Sequence, residues 1–223
     1  MNMTNNQQTL SAITTLIEQM AQIGKTSDGG VTRLLYTSDW FKAQQEISDL
    51  FQTHQLKTFF DDSGNVYGRA QGKAAAEPVI LTGSHIDTVI NGGKYDGTYG
   101  VLASLLAVSE LIEEHGQPQK TIDVVSFCEE EGSRFPLNFW GSGSVTGIHT
   151  GKDYSGVLAA DGTAFIERRP SMDLVKATIF RQSVPILAPL SSSTLNKEPF
   201  LLMLVSLSVS SKASSGKNAL FSP

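Results

Sequence analysis

The residues best suited to chemistry fall in three short stretches. His85 and Asp87 occupy alternate positions of Gly83-Ser84-His85-Ile86-Asp87, and Asp96 follows in Gly92-Gly93-Lys94-Tyr95-Asp96-Gly97. Glu129-Glu130-Glu131 opens Gly132-Ser133-Arg134-Phe135. Taken singly, each has an ordinary reading: a histidine after a strand is more often a structural hydrogen-bonder, Asp-Gly is usually a turn, and an acidic run is usually a solvated loop. Taken together they form a donor set. Three carboxylates at the end of a buried strand repel one another and lose hydration, and a cation shared with an imidazole relieves both costs. Imidazole with carboxylates suits zinc or manganese; Asp96 can bridge two ions and Glu131 can hold one of them. In an extended segment Glu130 points away from Glu131, which leaves it free to take a proton from a water that two ions activate. Asp87 is placed to hold the ring of His85.

The elements that must position these residues can be read from periodicity. Val79–Thr82 is a short apolar strand ending at the His85 stretch; Val101, Leu102, Leu105, Leu106, Val108 and Leu111 mark a helix to about His115; and Thr121–Cys128 is a second apolar strand ending at the acidic run. Strand, helix and strand in that order predict a parallel unit, and in such sheets function gathers beyond the carboxyl ends of the strands. Upstream, Leu10, Ile13, Leu16, Ile17, Met20 and Ile23 predict a helix over 8–23, and a second helix runs from a Ser38 cap to about His54. Leu56–Phe60 and Val66–Gly72 flank Asp61-Asp62-Ser63-Gly64-Asn65, a hairpin signal.

Composition narrows the partners. The chain has 223 residues, 40% hydrophobic and 17% charged, with a net charge of -5, which suits one globular domain and argues against a nucleic-acid surface. Phe200–Val205 is the longest apolar run, far short of the roughly 20 residues a membrane span requires. A single cysteine, Cys128, inside an apolar run, rules out an internal disulfide and suggests a reducing compartment; with no leader-like N-terminus, the expectation is a cytoplasmic protein. Cys128 itself reads as a small core residue. His54 and His115 at helix ends and His149 in a loop read as capping or exposed. Gly141-Ser142-Gly143-Ser144 lacks the lysine of a phosphate loop, and no Gly-x-Ser-x-Gly elbow occurs.

Ser84-His85-Ile86-Asp87-Thr88-Val89, Gly93-Lys94-Tyr95-Asp96-Gly97 and Glu129-Glu130-Glu131-Gly132-Ser133-Arg134-Phe135 together resemble the metal-dependent amidohydrolases that act on carbamoyl and ureido groups. Gly30-Val31-Thr32-Arg33-Leu34-Leu35-Tyr36 and Val89-Ile90-Asn91-Gly92-Gly93 look more like allantoate amidohydrolases than N-carbamoyl-L-amino-acid hydrolases, the alternative. The resemblance covers roughly residues 8–165. It implies an α/β, zinc-peptidase-like catalytic domain with a largely parallel central sheet flanked by helices. It also implies two divalent ions, zinc or manganese: His85 on one, Asp96 bridging, Glu131 on the other, Glu130 as general base. The implied substrate is a small ureido or carbamoyl compound, and the implied assembly is a homodimer formed through an inserted domain that is not readable here.

The chain departs from that pattern beyond Ser183. Glu198 is the only acid there, histidine is absent, and serines crowd at 191–193, 206, 208, 210, 211, 214 and 215. The family's histidine-bearing segment, similar to Phe-Val-Glu-Leu-His-Ile-Glu-Gln-Gly, should fall in this region. Codons for His-Ile-Glu-Gln read one nucleotide late can spell Thr-Leu-Asn-Lys, as at Thr194-Leu195-Asn196-Lys197. The expectation is therefore a metal-binding catalytic part over 1–183 and an out-of-frame tail over 184–223, with the ligands from further along missing. On that reading each ion keeps two ligands, fewer than the three zinc sites ordinarily use, and the chain is an inactive or non-catalytic fragment.

Overall fold

The computed structural model describes residues 5–74 and 78–168, the side chains of 5–8 excepted. The expected tail at 184–223 lies outside the described residues. Among the described residues nine elements follow in order: α1 (Asn5–Met20), α2 (Ser38–Thr53), β1 (Lys57–Phe60), β2 (Val66–Ala70), β3 (Ile80–His85), α3 (Thr98–His115), β4 (Ile122–Phe127), α4 (Trp140–Val145) and α5 (Phe165–Arg168). It is a mixed α/β arrangement with helices packed on a sheet, as expected.

The first two helices keep their expected places with shifted ends. α1 stops at Met20 because the chain tightens, Gln22 N–H donating to Gln19 and Ile23 N–H to Met20. Thr37, not Ser38, caps α2: its backbone is extended, and its hydroxyl accepts from Trp40 N–H at 3.3 Å. The buried face of α2 is Trp40, Ala43, Ile47 and Phe51, whereas Phe41 and Leu50 pack only partly.

β1 and β2 form the expected hairpin, Phe60 opposite Val66. Its turn is built by one side chain: Asp61 Oδ1 accepts from the N–H groups of Ser63, Gly64 and Asn65. β3, α3 and β4 form the expected parallel unit, with His85 opposite Phe127. Among the described residues the sheet is mixed, where the resemblance implies a largely parallel one. Its order is β1-β2-β4-β3, and both β1–β2 and β2–β4 are antiparallel. A five-residue turn can join only antiparallel neighbours, so the hairpin that docks on β4 brings two antiparallel pairings to one parallel one.

Alternation along β4 serves two layers. Val124 faces the main core with α1, α2 and α3, while Val125 and Phe127 join Tyr67 in a smaller cluster on the opposite face. Arg69 and Asp123 are paired across β2 and β4 through two hydrogen bonds of 2.8 and 2.7 Å. Among the described residues no helix is long and apolar enough to cross a membrane.

Candidate metal centre

The parallel register ends β3 and β4 side by side, so the segments leaving the two strands meet beyond the same edge. His85 is the last residue of β3 and is buried. Its Nδ1 lies 3.0 Å from the backbone carbonyl of Asp87 and 3.5 Å from Asp87 Oδ1. A ring that donates from Nδ1 presents Nε2 as its free donor atom, and Nε2 faces the acids: Glu130 at 3.7 Å and Asp96 at 4.0 Å.

Asp96 is aimed by a tight turn. Thr98 N–H donates to Asp96 carbonyl at 2.6 Å across Gly97, whose φ of 62° and ψ of -50° describe a γ-turn. A side chain at Gly97 would also place its Cβ 2.5 Å from His85 Nε2, so the backbone passes against the ring. The Asp96 side chain remains 61% exposed, at the open side of the cluster.

The acidic run does not continue β4 as an extended segment. Glu129 has a φ of 48°, and the chain bends there. The expectation that Glu130 and Glu131 point apart, which rested on an extended backbone, is therefore not met: one donor atom from each of His85, Glu130 and Glu131 lies within 4.8 Å of the others. The start of α4 clamps the bend, since Gly141, Trp140 and Phe139 N–H groups donate to the carbonyls of Cys128, Glu129 and Glu130. Glu129, fully buried, turns away from the cluster: its Oε1 accepts from Arg134 N–H and Phe135 N–H. Asp87 is buried too, and its Oδ2 accepts from Glu131 N–H at 3.1 Å, tying the two strand ends together.

The electrostatics are those of an anionic pocket. Burial raises the Glu130 carboxyl, His85 draws it back, and Asp87 and Asp96 push it up again. Glu131 is raised mainly by burial, with the His85 charge opposing and Asp96 and Glu130 adding. Burial also lifts Glu129 to about 7, against the hydrogen bond from Phe135. Burial disfavours charge on His85, but the hydrogen bond to Asp87 and the charges of Asp87 and Glu130 outweigh it and raise the ring to about 9. A proton on Nε2 and a cation in front of it answer the same surplus of negative charge.

The donor set fits a divalent ion. Donor atoms about 2 Å from one tetrahedral ion are roughly 3.4 Å apart, within reach of a small side-chain adjustment from the 4.0 Å between His85 Nε2 and Asp96 Oδ1. Asp87 Oδ1 is buried without a hydrogen-bond partner beside the ring that faces the cluster. Of the other histidines, His54 and His115 stay at the end of α2 and in the last turn of α3. His149 is half-buried rather than loosely exposed, stacked near Trp140 with Nδ1 2.6 Å from the Tyr154 hydroxyl. Cys128 is buried, its N–H donating to Asn65 Oδ1. The Gly141–Ser144 stretch lies in α4.

Four residues important to this geometry have parts that the sequence does not show: Arg33 and Asn65 are given no role at the site by their neighbours in the chain, and Gly97 and Glu129 are given different ones. Gly97 is readable only as half of an Asp-Gly turn. Glu129 is indistinguishable in type from its two neighbours, and only the backbone bend separates its role from theirs.

Residues 81–184 match Peptidase family M20/M25/M40. An allantoate amidohydrolase of Bacillus subtilis is 56% identical over 143 residues, covering 64% of this chain and 35% of that protein. An N-carbamoyl-L-amino-acid amidohydrolase of Pseudomonas is 42% identical over 131 residues, 59% of this chain and 32% of that protein. A hydantoinase/carbamoylase family amidase from Burkholderia ambifaria superposes with a TM-score of 0.68 at 31% identity, over 73% of this chain and 40% of its own. The chain thus spans about a third of the length of these curated relatives. The match, the likenesses and the histidine–carboxylate cluster at the paired strand ends agree with the resemblance carried by the three motifs: residues 81–184 match a Peptidase family M20/M25/M40 domain, and the chain is similar to amidohydrolases over part of their length.

Proposed function

We propose that this chain carries the metal-binding part of a hydrolase of linear carbon–nitrogen bonds in ureido or carbamoyl compounds, with allantoate as the substrate. The observation that carries this reading is the convergence of His85, Glu130 and Glu131 within 4.8 Å, with Asp96 4.0 Å from the ring. The 56% identity to an allantoate amidohydrolase favours allantoate, and the 42% identity to an N-carbamoyl-L-amino-acid amidohydrolase supports the second reading.

In this proposal His85 and Asp96 would hold one ion and Asp96 and Glu131 the other, with Asp87 fixing the His85 ring. Bound divalent ions, zinc or manganese, would polarise the ureido carbonyl and acidify a water. Glu130, half-buried and 3.7 Å from His85 Nε2, is the base that takes the proton of the attacking water. As the carbon–nitrogen bond breaks, Glu130 returns that proton to the departing nitrogen. The carbamoyl group leaves as carbamate, which breaks down by cleavage of its own carbon–nitrogen bond to ammonia and carbon dioxide.

None of the other three histidines joins the cluster, and residues 169–223 contain no histidine or cysteine. Each ion is thus left with two protein ligands on this assignment, and we propose that the 223-residue chain binds ions weakly and does not turn over. A slipped reading frame beyond Ser183 is our account of the missing ligands. The test is to place the matched segment of this chain in the Bacillus subtilis relative in place of its own and assay ammonia release. The expected result is hydrolysis of allantoate that is lost on H85A or E130A. Hydrolysis of an N-carbamoyl-L-amino acid alone selects the second reading, and a folded, ion-binding chimera that hydrolyses neither overturns both.

A further inference from the structure

Arg33 is fully buried and lies outside the donor cluster, yet it bonds to two of the segments that build the metal centre, the one leaving β3 and the start of α3. Its Nε donates to Ile86 carbonyl at 2.6 Å, and its backbone N–H donates to Thr88 Oγ1 at 2.9 Å. Thr88 N–H donates back to Arg33 carbonyl at 3.3 Å. The residues on both sides of Asp87 are therefore fastened to one arginine. On its far side, Nη2 donates to Thr98 Oγ1 at 2.7 Å, and Thr98 is the residue whose N–H closes the γ-turn beneath Asp96. Nη1 donates to Met20 carbonyl at 3.0 Å and so anchors the guanidinium to the end of α1.

A residue that served only to fill the core would carry no charge, because burying an unpaired guanidinium is costly. Here three acceptors in three segments meet one planar fork, a geometry that the single ammonium of lysine cannot reproduce. Burial pulls the guanidinium down to about 10 while Asp87 holds it up, so it is charged at neutral pH. Its charge faces the carboxylate that lies against the His85 ring.

We propose that Arg33 is the positioning residue of the metal centre, fixing the 86–88 segment to the first turn of α3 and thereby setting the direction of His85 Nε2 relative to Asp96. This inference rests on the reading of the cluster as a cation site. Arg33 touches neither ion nor substrate. It acts by keeping the donor atoms at one separation, so that little reorganisation accompanies ion binding.

The test is calorimetric titration of the 223-residue chain with manganese, and separately zinc, for the parent, R33K and T98V, with thermal unfolding measured on each. T98V removes only the Nη2 acceptor in a side chain of the same shape, and it decides the matter if R33K fails to fold. I47A, in α2, serves as a variant destabilised away from the centre. The expected result is a loss of affinity of about tenfold or more in R33K and about threefold or more in T98V, within the range for residues supporting metal ligands. I47A should unfold earlier but bind as the parent does. Unchanged affinity in folded R33K and T98V, or an equal loss in I47A, overturns the role of Arg33 and leaves the cation site standing. No binding by the parent overturns the cation site and this inference with it.

Discussion

His85 Nδ1 lies 3.0 Å from the backbone carbonyl of Asp87, two residues further on. The carbonyl is part of the chain just past the strand, so the loop after β3 holds its own histidine by the ring. The face left free, Nε2, is the one that meets Glu130 and Asp96. Orientation of the ring is thus a property of local backbone, and the acids need only be brought to it.

Glu130 and Glu131 both reach the cluster, and the roles proposed for them differ. Replacing Glu131 by Gln should weaken manganese binding by about tenfold or more, as expected on losing a direct ligand, while E130Q should change it by less than about threefold. Titration of both variants checks this. Equal losses would make Glu130 a ligand rather than the base.

Gly97 is predicted to resist substitution. G97A would force an alanine into the γ-turn conformation with its Cβ 2.5 Å from His85 Nε2 and from the His85 carbonyl. We expect a loss of about 2–4 kcal/mol in denaturant unfolding. Manganese affinity should fall with it, because the ring must move.

Glu129 is predicted to be structural. E129A strips the acceptor from two N–H groups, those of Arg134 and Phe135, and should cost about 2–4 kcal/mol of stability. E129Q keeps an oxygen in the same place and should stay within about 1 kcal/mol of the parent. A large loss of ion affinity in stable E129Q would instead give Glu129 a direct part in the site.

Asn65 links the hairpin to the acidic loop. Its Oδ1 accepts from Cys128 N–H at 2.9 Å, and its Nδ2 donates to Gly141 carbonyl at 3.1 Å and to Asp61 at 2.7 Å. N65A leaves the Cys128 N–H buried and unpaired, for an expected loss of about 2–4 kcal/mol in chemical unfolding.

The elements were legible in the sequence because their signals are local. The apolar spacing of residues 101–111 marks α3, the Asp61–Asn65 cluster marks the hairpin, and the apolar runs ending at His85 and at Glu129 mark the two strands whose carboxyl ends carry the site. What the sequence withheld depends on contacts between distant segments or on single backbone angles. The sheet is mixed because the hairpin docks on β4 through β2, and nothing in either strand's composition states that pairing. The positive φ at Glu129 turns a run of three like residues into one buried side chain that faces away from His85 and two that reach it. Arg33 draws its importance from acceptors 13, 53 and 65 residues away, which no pattern near position 33 can reveal.

The most direct test of the central claim, that His85 and the carboxylates around it hold a divalent ion, is calorimetric titration of the purified 223-residue chain with manganese beside its H85A variant. We predict measurable but weak binding by the parent and a loss of about tenfold or more in H85A, with unfolding of the two chains little different. Equal affinity and stoichiometry in the two, or no binding by the parent at concentrations well above those of the protein, would contradict the account.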